Sequence, residues 1–114
     1  MNKTLQAIKA LSEEIRLRLV LLLIGREACV CELMGVYEMA QSKLSHHLIT
    51  LRDAGFLRSE RRGKWNYYRA HPALMTGLNK DLITTLSKAL QDNGTIERDR
   101  VLLEKVRCKM NICC

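Results

Sequence analysis

The chain of 114 residues is poor in the residues on which loop-rich, fibrous or disulfide-built proteins depend. One proline and six glycines exclude a collagen-like or disordered composition. Aromatic residues number five, so Leu, Ile and Val must fill the core. The apolar run from Leu19 to Ile24 is six residues long and follows Arg16 and Arg18, too short for a transmembrane helix and wrong for a signal peptide. Five cysteines are an odd number and sparse for a disulfide-stapled scaffold. A cytoplasmic chain with reduced thiols and no membrane partner is therefore expected. At this length there is room for one domain, and two packed domains are excluded.

What is present is helical periodicity and positive charge. Leu5, Ile8 and Leu11 space a short first helix. Ser12 fits the N-cap of a second, which runs to Ile24 with Ile15, Leu19, Leu22 and Leu23 as its stripe. A third helix from about Val30 to Tyr37 buries Leu33, and a fourth from about Ser42 to Ala54 turns Leu44, Leu48 and Leu51 inward and stops at Gly55. From Leu57 to Ala70 the period changes to that of two short strands around a Gly-containing turn. After Pro72 one long helix is predicted to carry Leu74, Leu78, Leu82, Leu86 and Leu90, stopping near Asn93 and Gly94, and Thr95 can cap a final helix.

The net charge is +7, and residues 39–69 hold seven basic against two acidic side chains, +5 of that total. Two short helices followed by a basic hairpin read as a winged helix-turn-helix, mainly α with one β-hairpin, meeting double-stranded DNA. With the leucines inward, the outward face of the second helix is Gln41, Ser42, Lys43, Ser45 and His46, types able to hydrogen-bond base edges or phosphates. Of the two adjacent histidines, His47 is placed toward the core. Arg61, Arg62 and Lys64 on the hairpin are candidate phosphate contacts. Trp65 is assigned to wing packing, and Tyr67 and Tyr68 divide between surface and core.

The segments Leu11-Ser-Glu-Glu-Ile-Arg-Leu-Arg-Leu, Cys29-Val-Cys-Glu-Leu, Gln41-Ser-Lys-Leu-Ser-His-His-Leu and Arg62-Gly-Lys-Trp-Asn-Tyr-Tyr-Arg resemble the ArsR-type winged-helix metalloregulatory repressors, in order and over about residues 5 to 75. Among them the arsenite-responsive members are the most similar. The resemblance implies a homodimer, joined through the first and C-terminal helices, that binds an imperfect palindromic operator and controls an arsenic-resistance operon. It implies As(III) or Sb(III) as inducer, with no organic cofactor and no enzyme activity. Residues 1–107 would then form a single DNA-binding and dimerisation domain, and residues 108–114 a cysteine-rich tail.

In those repressors a third cysteine follows Cys-Val-Cys three residues on. Here Cys29 and Cys31 match, but the third position is Met34, whose thioether is a weaker, neutral ligand. The tail supplies Cys108, Cys113 and Cys114. Two arrangements stay open, a tail thiol completing the Cys29 and Cys31 site from either subunit, or a self-contained three-thiolate tail site. On an ideal helix Cys29 and Cys31 are about 200° apart, so joint ligation distorts the start of the third helix. The alternative inducers are oxidants acting on the same thiols, or Cd, Pb or Cu. An enzyme finds no support, because there is no Cys-x-x-Cys and no catalytic dyad.

Overall fold

The computed structural model describes residues 1–110, with side chains through Cys108, so the predicted ligands Cys113 and Cys114 lie outside the described residues. Six helices and a three-stranded sheet follow one another as α1 (Asn2–Ala10), α2 (Glu14–Leu23), β1 (Glu27–Cys29), α3 (Val30–Tyr37), α4 (Gln41–Asp53), β2 (Arg58–Arg62), β3 (Trp65–Arg69), a 3₁₀ turn Pro72–Leu74, α5 (Gly77–Ala89) and α6 (Gly94–Met110). The expected class holds: α3 and α4 form the helix-turn-helix, and β2 with β3 forms the wing.

The core is aliphatic, as the scarcity of aromatics requires. Leu19, Val20, Leu22 and Leu23 of α2, Leu33 of α3, Leu44, Leu48 and Leu51 of α4, and Ile83 and Leu103 are buried together with Phe56. Each such side chain stabilises the fold by roughly 1.5–3 kcal/mol relative to exposure. Helix α2 buries five consecutive residues, Leu19 to Leu23, because other elements surround it and not one face only.

Four local expectations change. Ser12 does not cap α2: its hydroxyl donates to the Lys9 carbonyl at 2.7 Å and closes α1, while Glu13 takes the N-cap position. The helix after Pro72 is interrupted, because Met75 and Thr76 are extended and bring Met75 into the core. Leu74 therefore precedes α5, and Leu90 is its C-cap. At the start of α6 the side-chain oxygen of Asn93, not Thr95, accepts a backbone N–H, that of Thr95 at 2.8 Å. Finally, β1 adds a strand to the hairpin. The sheet order is β1-β3-β2, with Glu27 opposite Arg69 and Cys29 opposite Tyr67.

Two glycines are required by geometry. Gly63, with φ of +62°, supplies the first position of the two-residue wing turn between Arg62 and Trp65. Gly35 lets α3 and α6 close on each other, since a Cβ there would lie 2.9 Å from Val106.

Candidate nucleic-acid interface and thiol site

On α4 the structure exposes Gln41, Ser42, Lys43 and His46 and half-buries Ser45, a polar stripe backed by Leu44, Leu48 and Leu51. On the wing Arg61, Arg62 and Lys64 are all exposed. Arg61 Nε donates to the Gly63 carbonyl at 3.0 Å, and Lys64 Nζ sits 5.9 Å from the Trp65 ring centroid. Arg62 is placed differently: its guanidinium forms a fork with Glu27 and also reaches Glu60. Tyr68 is buried and Tyr67 half-buried, as strand alternation demands.

Helix α4 is held at its C-terminal end by two amides. Asn79 Nδ2 of α5 donates to the Ala54 carbonyl at 2.7 Å, and Gln6 Nε2 of α1 to the Asp53 carbonyl at 3.4 Å. These are among the carbonyls that a helix end leaves without partners. Gly55, at φ of +88°, makes room for Asn79, since a Cβ there would meet its Nδ2 at 2.9 Å.

His47 turns inward and is 5% exposed. Its Nδ1 lies 3.6 Å from Glu13 Oε2. Burial holds the imidazole below its ordinary pKa, against the attraction of Glu13 and with Arg16, His46 and Lys43 adding repulsion. The neutral ring therefore belongs to the folded state. Its stabilisation is complete above the unfolded value of 6.5 and is lost as pH falls through the lower folded value. The midpoint of thermal unfolding is expected to drop between about pH 7 and about pH 5, and His47→Gln should flatten part of that drop. An unchanged pH response in His47→Gln would show that other groups carry it.

The cysteine pair sits where strand becomes helix. Cys29 is buried, ends β1 and is the N-cap of α3, while Cys31 is half-buried in the first helical turn. Glu32 completes a capping box, its carboxylate accepting the Cys29 N–H at 3.0 Å. Arg107 of α6 fastens the same junction. Its Nε donates to Glu32 Oε2 at 2.9 Å, and its Nη2 donates to the Glu27 carbonyl. The next residue is Cys108, an exposed free thiol, so α6 brings one tail cysteine toward the β1–α3 junction of its own chain. Met34 is half-buried against the core. Among the described residues no three His, Cys, Asp or Glu side chains are grouped to hold a metal ion. Sequence reasoning missed Arg107 and Glu32; the Cys29-x-x-Glu32 spacing is the one signal that could have found the latter.

A second polar cluster locks α6 to the helix-turn-helix. Asp99 is fully buried and accepts Arg18 Nε at 3.0 Å, Arg18 Nη2 at 2.8 Å and the Tyr37 hydroxyl at 3.2 Å. Burial and the neighbouring Asp99 push the Tyr37 phenol well above its ordinary range, so it stays a proton donor. Glu38, in the left-handed region at φ of 49°, ends α3 beside this cluster.

A helix-turn-helix with a polar outer helix, followed by a basic two-stranded wing, defines a winged helix-turn-helix regulatory protein. The pattern of the bacterial regulatory protein, arsR family, matches residues 5–59. The chain is 44% identical over 90 residues to the arsenic resistance transcriptional regulator ArsR2 of Pseudomonas putida, covering 75% of this chain and 78% of that one. It is 39% identical over 79 residues to the arsenical resistance operon repressor of Bacillus subtilis, covering 68% and 75%. The chain belongs to the arsR family, a family of regulators and not of enzymes. With ArsR1 of Pseudomonas putida the identity is 48% over 65 residues, 56% of this chain, which spans about half of that relative's length, 51%. Among solved structures, HlyU from Vibrio cholerae is similar with a TM-score of 0.64 at 30% identity, over 77% of this chain and 91% of that one. The transcriptional repressor BigR from Xylella fastidiosa gives 0.60 at 31%, over 77% and 86%. No helix among the described residues is long and apolar enough to cross a membrane.

Proposed function

We propose that the chain is a transcriptional repressor that binds operator DNA as a homodimer and leaves it when As(III) or Sb(III) is captured by cysteine thiolates. The observation that carries this reading is the position of Cys29 and Cys31 astride the start of α3, the helix packed directly on the reading helix α4. Trivalent arsenic draws its thiolates together around one centre, but the β1 end and the helix start set these two on different local geometries. Capture then redraws the first turn of α3, and a helix start favours the thiolate form that capture requires. Cys108 or another tail thiol supplies the third sulfur in place of Met34. The Arg107 anchor favours a tail from the same subunit.

On DNA, Gln41, Ser42, Lys43, Ser45 and His46 face base edges and nearby phosphates, and Arg61 and Lys64 reach phosphates from the wing. The relatives named as arsenical resistance repressors support both the operator and the inducer class. The dimer is supported by apolar side chains left outside the core on α1 and near α5, Leu5, Ile8, Leu74 and Leu78. Two reading helices would then meet successive major grooves about 34 Å apart on an imperfect palindrome.

Fluorescence anisotropy with operator DNA tests the reading. Arsenite should weaken the wild-type complex by about 10-fold or more, while the doubly substituted Cys29→Ser, Cys31→Ser protein binds DNA normally and ignores arsenite. Undiminished release from that variant overturns the assignment, as does release of the wild type by oxidant but never by arsenite.

A further inference from the structure

Arg62 ends β2 at the base of the wing turn. Its Nη1 and Nη2 donate to the two carboxylate oxygens of Glu27 at 2.6 and 2.8 Å, and Nη2 also donates to Glu60 Oε2 at 2.9 Å. The guanidinium carbon lies 4.6 Å from the centroid of the Tyr67 ring. With strand order β1-β3-β2, this one side chain crosses the whole sheet, from β2 over β3 to β1. The Arg62 side chain is 44% exposed, but its one guanidinium faces two carboxylates, which offset the charge it can present to a phosphate.

The far end of this crossing is the strand that carries Cys29. Glu27 and Cys29 are two residues apart on β1, opposite Arg69 and Tyr67. On β2, Glu60 lies opposite Tyr67 and Arg62 opposite Trp65. Side chains alternate along a strand, so Glu27, Cys29, Glu60, Arg62 and Tyr67 share one face of the sheet. Any shift of Cys29 along or out of β1 is felt by Tyr67 directly and by Arg62 through Glu27. The β1 backbone is also tied to α6 by Arg107, which donates to the Glu27 carbonyl.

We propose that Glu27 and Arg62 couple the thiol site to the wing: Arg62 is a positioning residue and not a phosphate contact, and it carries movement of β1 on metalloid capture to Arg61 and Lys64. This deepens the repressor reading and rests on it. Capture at Cys29 would therefore disturb both DNA-facing surfaces, α4 through α3 and the wing through Glu27 and Arg62.

The test uses the full chain and four readouts. Arsenite uptake is followed by thiolate absorbance, DNA affinity without arsenite by anisotropy, the ratio of affinities without and with arsenite by the same method, and the slope of log affinity against log salt. For Arg62→Gln the inference expects wild-type arsenite stoichiometry, an unchanged salt slope and an affinity ratio reduced by about 10-fold, within the usual range of coupling between two sites. Glu27→Gln should lower the ratio in the same way, and Arg62→Lys, which keeps the charge but not the fork, should fall between it and the wild type. A slope smaller by about 0.9 per subunit with the ratio intact marks Arg62 as a phosphate contact and overturns the inference. Failure of arsenite to release the wild type overturns instead the repressor reading beneath it.

Discussion

Replacing Arg18 by methionine is expected to destabilise the native state by about 3–5 kcal/mol, the scale for stripping one partner from a buried ion pair. Asp99 is fully buried. Once Arg18 is gone, the Tyr37 hydroxyl at 3.2 Å is the one hydrogen-bond donor of this cluster left to it. The converse change should cost less. The Arg18 side chain is 28% exposed, so in Asp99→Leu the guanidinium, whose carbon now lies 5.1 Å from the centroid of the Tyr37 ring, can turn to water. For that variant about 1–3 kcal/mol is expected. Urea unfolding of both variants and of the double substitution measures the asymmetry; equal losses would mean that Asp99 is better solvated than its burial implies. Against a total of about 5–15 kcal/mol for a domain, the Arg18 effect would leave little reserve. The cluster joins α2, α3 and α6, so its loss should also loosen the helix that carries Cys31.

The second large effect concerns assembly. Substituting aspartate for both Leu5 and Leu78 should yield a folded monomer with operator affinity reduced by about 100- to 10,000-fold, the loss that follows when two linked binding events become one. Folding should survive because these side chains are 45% and 42% exposed. Helix α1 and the start of α5 border the same cleft, which is lined by Lys3 and Gln6 of α1, by Thr76 at the N-cap of α5 and by Asn79 within it. The four apolar side chains Leu5, Ile8, Leu74 and Leu78 thus lie on or next to neighbouring elements. Sedimentation gives the mass and anisotropy the affinity; a dimeric mass after both substitutions would place the interface elsewhere.

Helix α3 was legible from the sequence at its ends, Val30 and Tyr37, with Leu33 as the buried residue, whereas the Cys29 and Glu32 capping box at its start was not. Helix α4 was legible because Leu44, Leu48 and Leu51 recur at helical spacing and Gly55 stops it. Strand β1 was not: three residues, Glu27 to Cys29, are too few to show alternation, and what makes them a strand is pairing with β3 some 40 residues later. The break before α5 was hidden for a related reason, since the leucine ladder from Leu74 reads through Met75 and Thr76 and only the pull of the core on Met75 interrupts it.

The candidate site divides in the same way. Exposure of Lys43 and His46 and burial of His47 follow from helix phase alone. Arg62 could not be told from Arg61 by type or position, because its partner Glu27 is 35 residues away. Arg18 and Asp99 are separated by 81 residues, and Arg107 and Glu32 by 75. In a single sequence such pairs look like ordinary surface charges.

The two amides at the end of α4 give it the mechanics of a lever. Gln6 and Asn79 pin the carbonyls of Asp53 and Ala54, whereas the residues assigned to base edges, Gln41 to His46, occupy the opposite end. Thirteen residues at about 1.5 Å each make an arm of about 20 Å. A tilt of about 6° about that fulcrum moves the tip by about 2 Å, comparable to the helix shifts seen in switching proteins. On the proposed function, a small push at α3 would thereby be magnified at the end of α4 assigned to bases, while α1 and α5, which bear the fulcrum, could stay still.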